Sequence, residues 1–281
     1  MTGNTGNTGN TGNVGNIGGG LFFADRVDLP YVYQVLKGTN PPPASAITAV
    51  KAFPESLWDQ QWLATLVLQD FAKTNWQALS FTDPGSQIPT SAAGLAAELG
   101  NLEKAAIDER PDAMGEILGQ ADEFLTYYCA ALGINTIAYP ATRRLLHVGS
   151  LVGTFAVMYY KAKYNRPRPS QVCPALLPPI AVPGHASYPS GHATQAYLVS
   201  GCVQLALPGP DTLGNPSPTT TALTEALDVL AARIARNREI AGLHFPSDSA
   251  AGVELARNCL DLLQDVDSFN DTVEAARAEW K

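Results

Sequence analysis

Three short stretches of this 281-residue chain carry side chains whose types and spacing could do chemistry. In "KAKYNRPRPS", Lys161 is followed after six residues by Arg168, with Pro167 and Pro169 turning the chain out of helix. Two fixed cations at the exit of an apolar helix are costly to bury unless they meet an anion. Taken alone the pair is weak, because cations also suit helix C-termini. In "YPSGHATQAY", Ser190 can cap a helix that begins at Gly191. The free N–H groups and positive dipole end of that first turn suit an oxyanion. Gly191 admits the anion close to the backbone, and His192 can give or take a proton near neutral pH. In "ARNREIAGLHFPSDSAAG", Arg238 precedes His244 by six residues and Asp248 follows by four. Gly242 closes one helix and Ser247 can cap the next, so His244 falls on a corner where Asp248 can hold one imidazole nitrogen. That leaves the other nitrogen directed and more basic.

The remaining two histidines differ in setting. His147 lies mid-way along an apolar helix and reads as a core residue, whereas His185 stands seven residues before His192 in a Pro-rich loop.

Composition narrows the classes. A hydrophobic fraction of 46% supports a substantial core, and a net charge of −8 argues against nucleic acid as a partner. Yet nine of the 18 Lys and Arg residues (Arg143, Arg144, Lys161, Lys163, Arg166, Arg168, Arg233, Arg236 and Arg238) fall in three short segments, as an anion site would require. The four cysteines, Cys129, Cys173, Cys202 and Cys259, form no metal-type pair and read as thiols. No basic-then-apolar leader is visible, which gives the expectation of a cytoplasmic protein, with a mature secreted or periplasmic form as the alternative, since it would look the same. The most apolar stretch, residues 145–160, spans 16 residues and contains a His, short of the about 20 that a membrane helix needs.

Residues 2–13 repeat Thr-Gly-Asn four times. Residues 1–20 are therefore set apart as a low-complexity arm, with residues 21–281 as a single all-α catalytic domain. Helix patterns run over residues 54–76 and 91–109, from Pro111 to Leu132, and over 140–163, 190–206, 219–242 and 247–276, and no alternating strand pattern competes. Seven or eight helices follow, with Pro-rich loops at 165–188 and 207–219.

Taken as a set and in this order, K-x6-R-P, P-S-G-H and R-x5-H-x3-D resemble the type 2 phosphatidic acid phosphatase and vanadium haloperoxidase superfamily. The resemblance covers about 100 residues from Lys161, with one departure: Asn237 stands where a Ser usually precedes the Arg. It implies an all-α bundle in which Lys161, Arg168, Ser190, Gly191 and Arg238 bind the oxygens of phosphate or vanadate. In a phosphatase, His244 would attack phosphorus, His192 would protonate the leaving group and Asp248 would orient His244, with no cofactor. In a haloperoxidase, His244 would be the axial ligand of vanadium, His192 would assist peroxide and Lys161 would polarise it for halide attack.

His185 resembles a histidine at the same offset in vanadium bromoperoxidases, where it would tune halide oxidation. Met158, by contrast, stands where haloperoxidases carry a Trp, and those are longer chains. The sequence reading favours a vanadate-loaded, haloperoxidase-like enzyme, with a phosphohistidine-forming phosphomonoester hydrolase as the alternative. A non-catalytic oxyanion-binding protein comes third, since binding alone would require neither His192 nor His244. The partners expected are a small-molecule substrate (peroxide and halide, or a phosphate ester), no nucleic acid, no membrane span, and a possible homo-oligomer.

Overall fold

The computed structural model describes residues 53–54, 57–79, 91–135, 138–209 and 218–281. The Thr-Gly-Asn repeat, and with it the whole 1–20 arm, lies outside them. Among the described residues the secondary structure is helical, without strands: α1 (Gln60–Phe71), α2 (Ala92–Asp108), α3 (Arg110–Asp122), α4 (Leu125–Leu132), α5 (Pro140–Tyr164), the short α6 (Pro169–Val172), α7 (Gly191–Gln204), α8 (Pro218–Ile240), α9 (Pro246–Leu263) and α10 (Asp267–Glu279).

Helices α5 and α7 form the centre. α7 packs on α5, α8 and α9, while α5 also takes α1 and α10 against its other faces. Both are apolar nearly all round, as a central helix must be; Leu145, Val152, Ala156 and Tyr160 of α5 and Leu198, Val199 and Cys202 of α7 are fully buried. The two approach closely because α5 carries Gly149, where an added Cβ would lie 2.7 Å from both Cα and N of Val199. Pro140 opens α5, and its first N–H groups are taken by Glu279 of α10, whose Oε1 accepts from Ala141 N at 2.7 Å and Oε2 from Thr142 N at 2.9 Å. Asn165 ends the helix in the left-handed region at φ 47°, two residues before Pro167, with Lys161 and Lys163 in the last turn.

Two expected helices prove to be four. The pattern from Pro111 to Leu132 breaks at Glu123, whose backbone is extended and whose Oε1 accepts the N–H of Leu125 at 2.8 Å, restarting the chain as α4. The stretch 247–276 breaks between α9 and α10, where Val266 N bonds Leu263 O at 2.9 Å and Val266 is buried. Apolar spacing continues through both breaks because α9 and α10 share one core and α3 and α4 both pack against α8. The expected loop at 165–188 contains α6 and a 3-10 turn, Pro174–Leu176. Of the expected loop 207–219, residues 210–217 lie outside the described residues.

Candidate active site

The three sequence stretches meet at the ends of α5, α7 and α8 and at the start of α9. Their side chains line one small cavity of about 20 Å³, walled by Lys161, Arg168, Gly191, His192, Arg238 and His244, with His185, Met158 and Gln195 beside them.

Lys161, in the last turn of α5, is 1% exposed and donates from Nζ to the carbonyls of Ala186 and Ser187, each at 2.8 Å. Arg168 caps α6 and is anchored by Nε to His185 O at 2.9 Å and by Nη1 to Leu243 O at 2.9 Å. Arg238, in the last turn of α8, is 1% exposed, and its Nε and Nη1 have no acceptor among the described residues. Buried guanidinium N–H groups are seldom left without a partner.

Ser190 is the N-cap of α7, its Oγ accepting Ala193 N at 3.4 Å; it lies beside the cavity, and Gly191 forms the wall. A Cβ built on Gly191 would have Lys161 Cε as a neighbour at 3.9 Å, so any side chain there would occupy the cradle itself. Two cationic side chains with anchored stems, a third with free N–H groups and a bare helix N-terminus fit a tetrahedral oxyanion, phosphate and vanadate alike.

His244 occupies the corner after α8, where Gly242 at φ 74° reverses the chain and Leu243 N bonds Arg238 O at 3.0 Å. Asp248, in the first turn of α9, is fully buried and meets His244 Nδ1 at 3.2 Å through Oδ2. The same oxygen accepts Phe245 N at 2.9 Å and the hydroxyl of Ser187. A carboxylate at Nδ1 fixes the tautomer with the proton on that nitrogen. Nε2 therefore keeps its lone pair, 3.4 Å from Arg168 Nη1 on the cavity side. His192 sits with Nε2 3.2 Å from the carbonyl of Gln120; donation there places the neutral ring's lone pair on Nδ1.

The electrostatics are those of cations crowded in a dry place. Burial, reinforced by Arg168, lowers Arg238 to about 9, and burial lowers Arg168 to about 10. Lys161 is pushed well below the usual lysine range by burial and then by Arg168. His244 and His192 are pushed well below an ordinary imidazole, by burial first and then by the neighbouring guanidinium groups. A bound anion would reverse each of the charge effects.

His185 is a wall of the cavity, with Nδ1 3.1 Å from Arg168 Nη2 and its proton affinity lowered to about 4 by burial and the adjoining Lys161 and Arg168. It is neutral at pH 7. His147 stays in the core, away from the cavity. Arg166, Ser187 and Gln120 touch the motif residues and carried no role in the sequence reading. The only signal for Arg166 was its place among the clustered cations.

Residues 124–260 match the family model of the PAP2 superfamily. This region belongs to that superfamily. The match ends on α9 and excludes α1, α2 and α3. A search of curated proteins finds no match. Among solved structures, the chain is similar to the first transmembrane PAP2 type phosphatidylglycerolphosphate phosphatase from Bacillus subtilis, at 17% identity and a TM-score of 0.46, over 74% of this chain and 96% of that one. That neighbour is a transmembrane protein, which runs against the expectation here of partners without a membrane. Among the described residues of this chain, no helix is long and apolar enough to cross a membrane.

Proposed function

We propose that the cavity catalyses phosphate monoester hydrolysis through a phosphohistidine at His244. One observation carries this reading: the imidazole held by Asp248 presents Nε2 to the same cavity in which Arg238 keeps two buried N–H groups without an acceptor. A directed nucleophile and an unsatisfied cationic cradle are the two parts that phosphoryl transfer requires.

The terminal phosphoryl group lies among Lys161, Arg168, Arg238 and the N–H of Gly191, which spread its developing equatorial charge. His244 Nε2 attacks phosphorus as the P–O ester bond breaks, and the departing oxygen takes a proton from His192. The imidazolium character gained by His244 is stabilised through Nδ1–H by Asp248. Water then attacks the phosphohistidine, giving its proton to His192, and the P–N bond breaks to release phosphate. Burial first and then Arg238 disfavour the protonated ring of His192, and the phosphoryl charge acts in the opposite sense to Arg238.

A second reading rests on His185, which walls the cavity instead of sitting on an outer loop. In that reading the same cradle and His244 Nε2 would hold vanadate, which when bound would activate peroxide toward halide. His185 and His192 would place donors around it. Met158 lines the cavity where the resemblance expects a Trp, which supports the phosphatase first.

The two readings separate by assay. Vanadate-free protein is given an aryl phosphate and, in detergent micelles, a lipid phosphomonoester; vanadate-loaded protein is given bromide, peroxide and a dimedone-type acceptor. The phosphatase reading expects hydrolysis, acid-labile phosphate on His244 and loss of both in His244→Ala. Bromination without hydrolysis would reverse the order, and phosphate binding with neither activity would leave an oxyanion-binding protein.

A further inference from the structure

Arg166 stands two residues before Arg168 and does not wall the cavity, yet it is 6% exposed. Its guanidinium lies 3.9 Å from the centroid of the Phe245 ring and is fully engaged at its fork. Nη1 donates to Asp248 Oδ1 at 2.7 Å and to Ser247 Oγ at 2.7 Å, and Nη2 donates to Glu98 Oε2 at 2.7 Å. The second oxygen of Glu98 accepts the backbone N–H of Ser247 at 3.0 Å, in the first turn of α9. Glu98 belongs to α2, outside the 124–260 family match.

Asp248 thus has its two oxygens fixed from opposite sides. Oδ2 receives His244, Phe245 and Ser187, and Oδ1 receives Arg166. A buried carboxylate held at one oxygen could still rotate; held at both, it fixes the plane in which His244 Nδ1–H must point. Arg166 serves because a planar fork can bridge two carboxylates, which the single ammonium of a lysine does less well. Arg166 itself is a buried cation between two anions, so its position depends on Glu98 as much as on Asp248.

We infer that Glu98 and Arg166 are positioning residues for the His244 nucleophile: α2 reaches in from outside the family core to lock the orienting carboxylate through one bridging guanidinium. Neither touches the phosphoryl group, so their loss acts on turnover and leaves the anion cradle in place. The inference rests on the phosphatase reading for its kinetic readout alone.

The test uses the full chain with Glu98→Gln and Arg166→Lys, which nearly conserve volume, and Arg166→Ala. Three quantities are measured: kcat and KM with aryl phosphate, inorganic phosphate affinity by calorimetry, and the downfield proton resonance of His244 Nδ1–H, assigned by its loss in His244→Gln. Expected are a fall in kcat of about 10- to 100-fold, as for other groups that orient a reacting residue, KM and phosphate affinity within about 3-fold of wild type, and a shifted or broadened resonance. Added guanidinium should restore part of kcat in Arg166→Ala and none in Glu98→Gln. If phosphate affinity falls in parallel with kcat, the residues support the whole fold and the inference is overturned; unchanged kcat with an unchanged resonance overturns it as well. If wild type hydrolyses no ester, the phosphatase reading fails, and the resonance decides the positioning alone: unmoved in Glu98→Gln and Arg166→Lys, it refutes the bridge. Should Arg166→Ala not fold, the two conservative variants decide the same question.

Discussion

Replacing Arg238 with Met sets stability against function. The guanidinium is 1% exposed, and burial with Arg168 nearby lowers its proton affinity from the ordinary arginine range to about 9. A base depressed in the folded state destabilises that state wherever the unfolded chain holds the proton. The cost is therefore complete below pH 9 and disappears only above the ordinary arginine range. That lowering corresponds to about 5 kcal/mol at pH 7 as an upper bound, since relaxation and water entry reduce it. Met keeps most of the stem's apolar contacts and gives up no hydrogen bond from Nε or Nη1, because neither has an acceptor among the described residues. Allowing about 1–3 kcal/mol for imperfect packing, the ligand-free variant should gain about 2 kcal/mol, or roughly 5 °C in Tm. Hydrolysis should fall by at least about 10²- to 10³-fold, the usual loss for one oxyanion donor. Phosphate at 100 times its Kd should stabilise wild type by about 2.7 kcal/mol and the variant far less. Calorimetric melting with and without phosphate, beside an aryl phosphate assay, reads all three. A ligand-free variant that melts below wild type while keeping the full phosphate-induced rise would make Arg238 a structural cation and not an anion ligand.

Three more outcomes follow from the same contacts. Asp248→Asn should lower kcat by about 10⁴, as when an orienting aspartate elsewhere loses its charge, while calorimetric phosphate affinity stays within a few fold; equal losses in both would contradict an orienting role. His147 is 9% exposed and lowered from 6.5 to about 4 by burial and Arg143, so folding loses stability as pH falls from 6.5 to 4, by up to about 3 kcal/mol. Urea melts across that window should show His147→Leu less acid-sensitive than wild type. Gly149→Ala puts a Cβ 2.7 Å from the backbone of Val199 and should cost about 1–3 kcal/mol in denaturant melts; an unchanged midpoint would mean that α5 and α7 are not so closely pressed.

The helical class and most of the residues of the cavity wall are legible in the chain alone. Lys161, Arg168, Gly191, His192, Arg238 and His244 are legible because each sits at a helix end, where Pro, Gly, Asn or a capping residue marks the boundary and the motif spacing is local. The Asp248–His244 contact spans four residues across one corner, so it too could be read. The breaks at Glu123 and between α9 and α10 could not, because apolar periodicity records which face meets the core and continues across a turn that keeps that face. His185 as a cavity wall, and the carbonyl of Gln120 at His192, depend on contacts between distant segments. Glu98 is the clearest case. On its own helix it is one acid among alanines and leucines, and 68 positions separate it from Arg166. Only the packing of α2 against the start of α9 makes it a partner of the site, because hydrogen bonds between distant segments leave no spacing in the chain to be read.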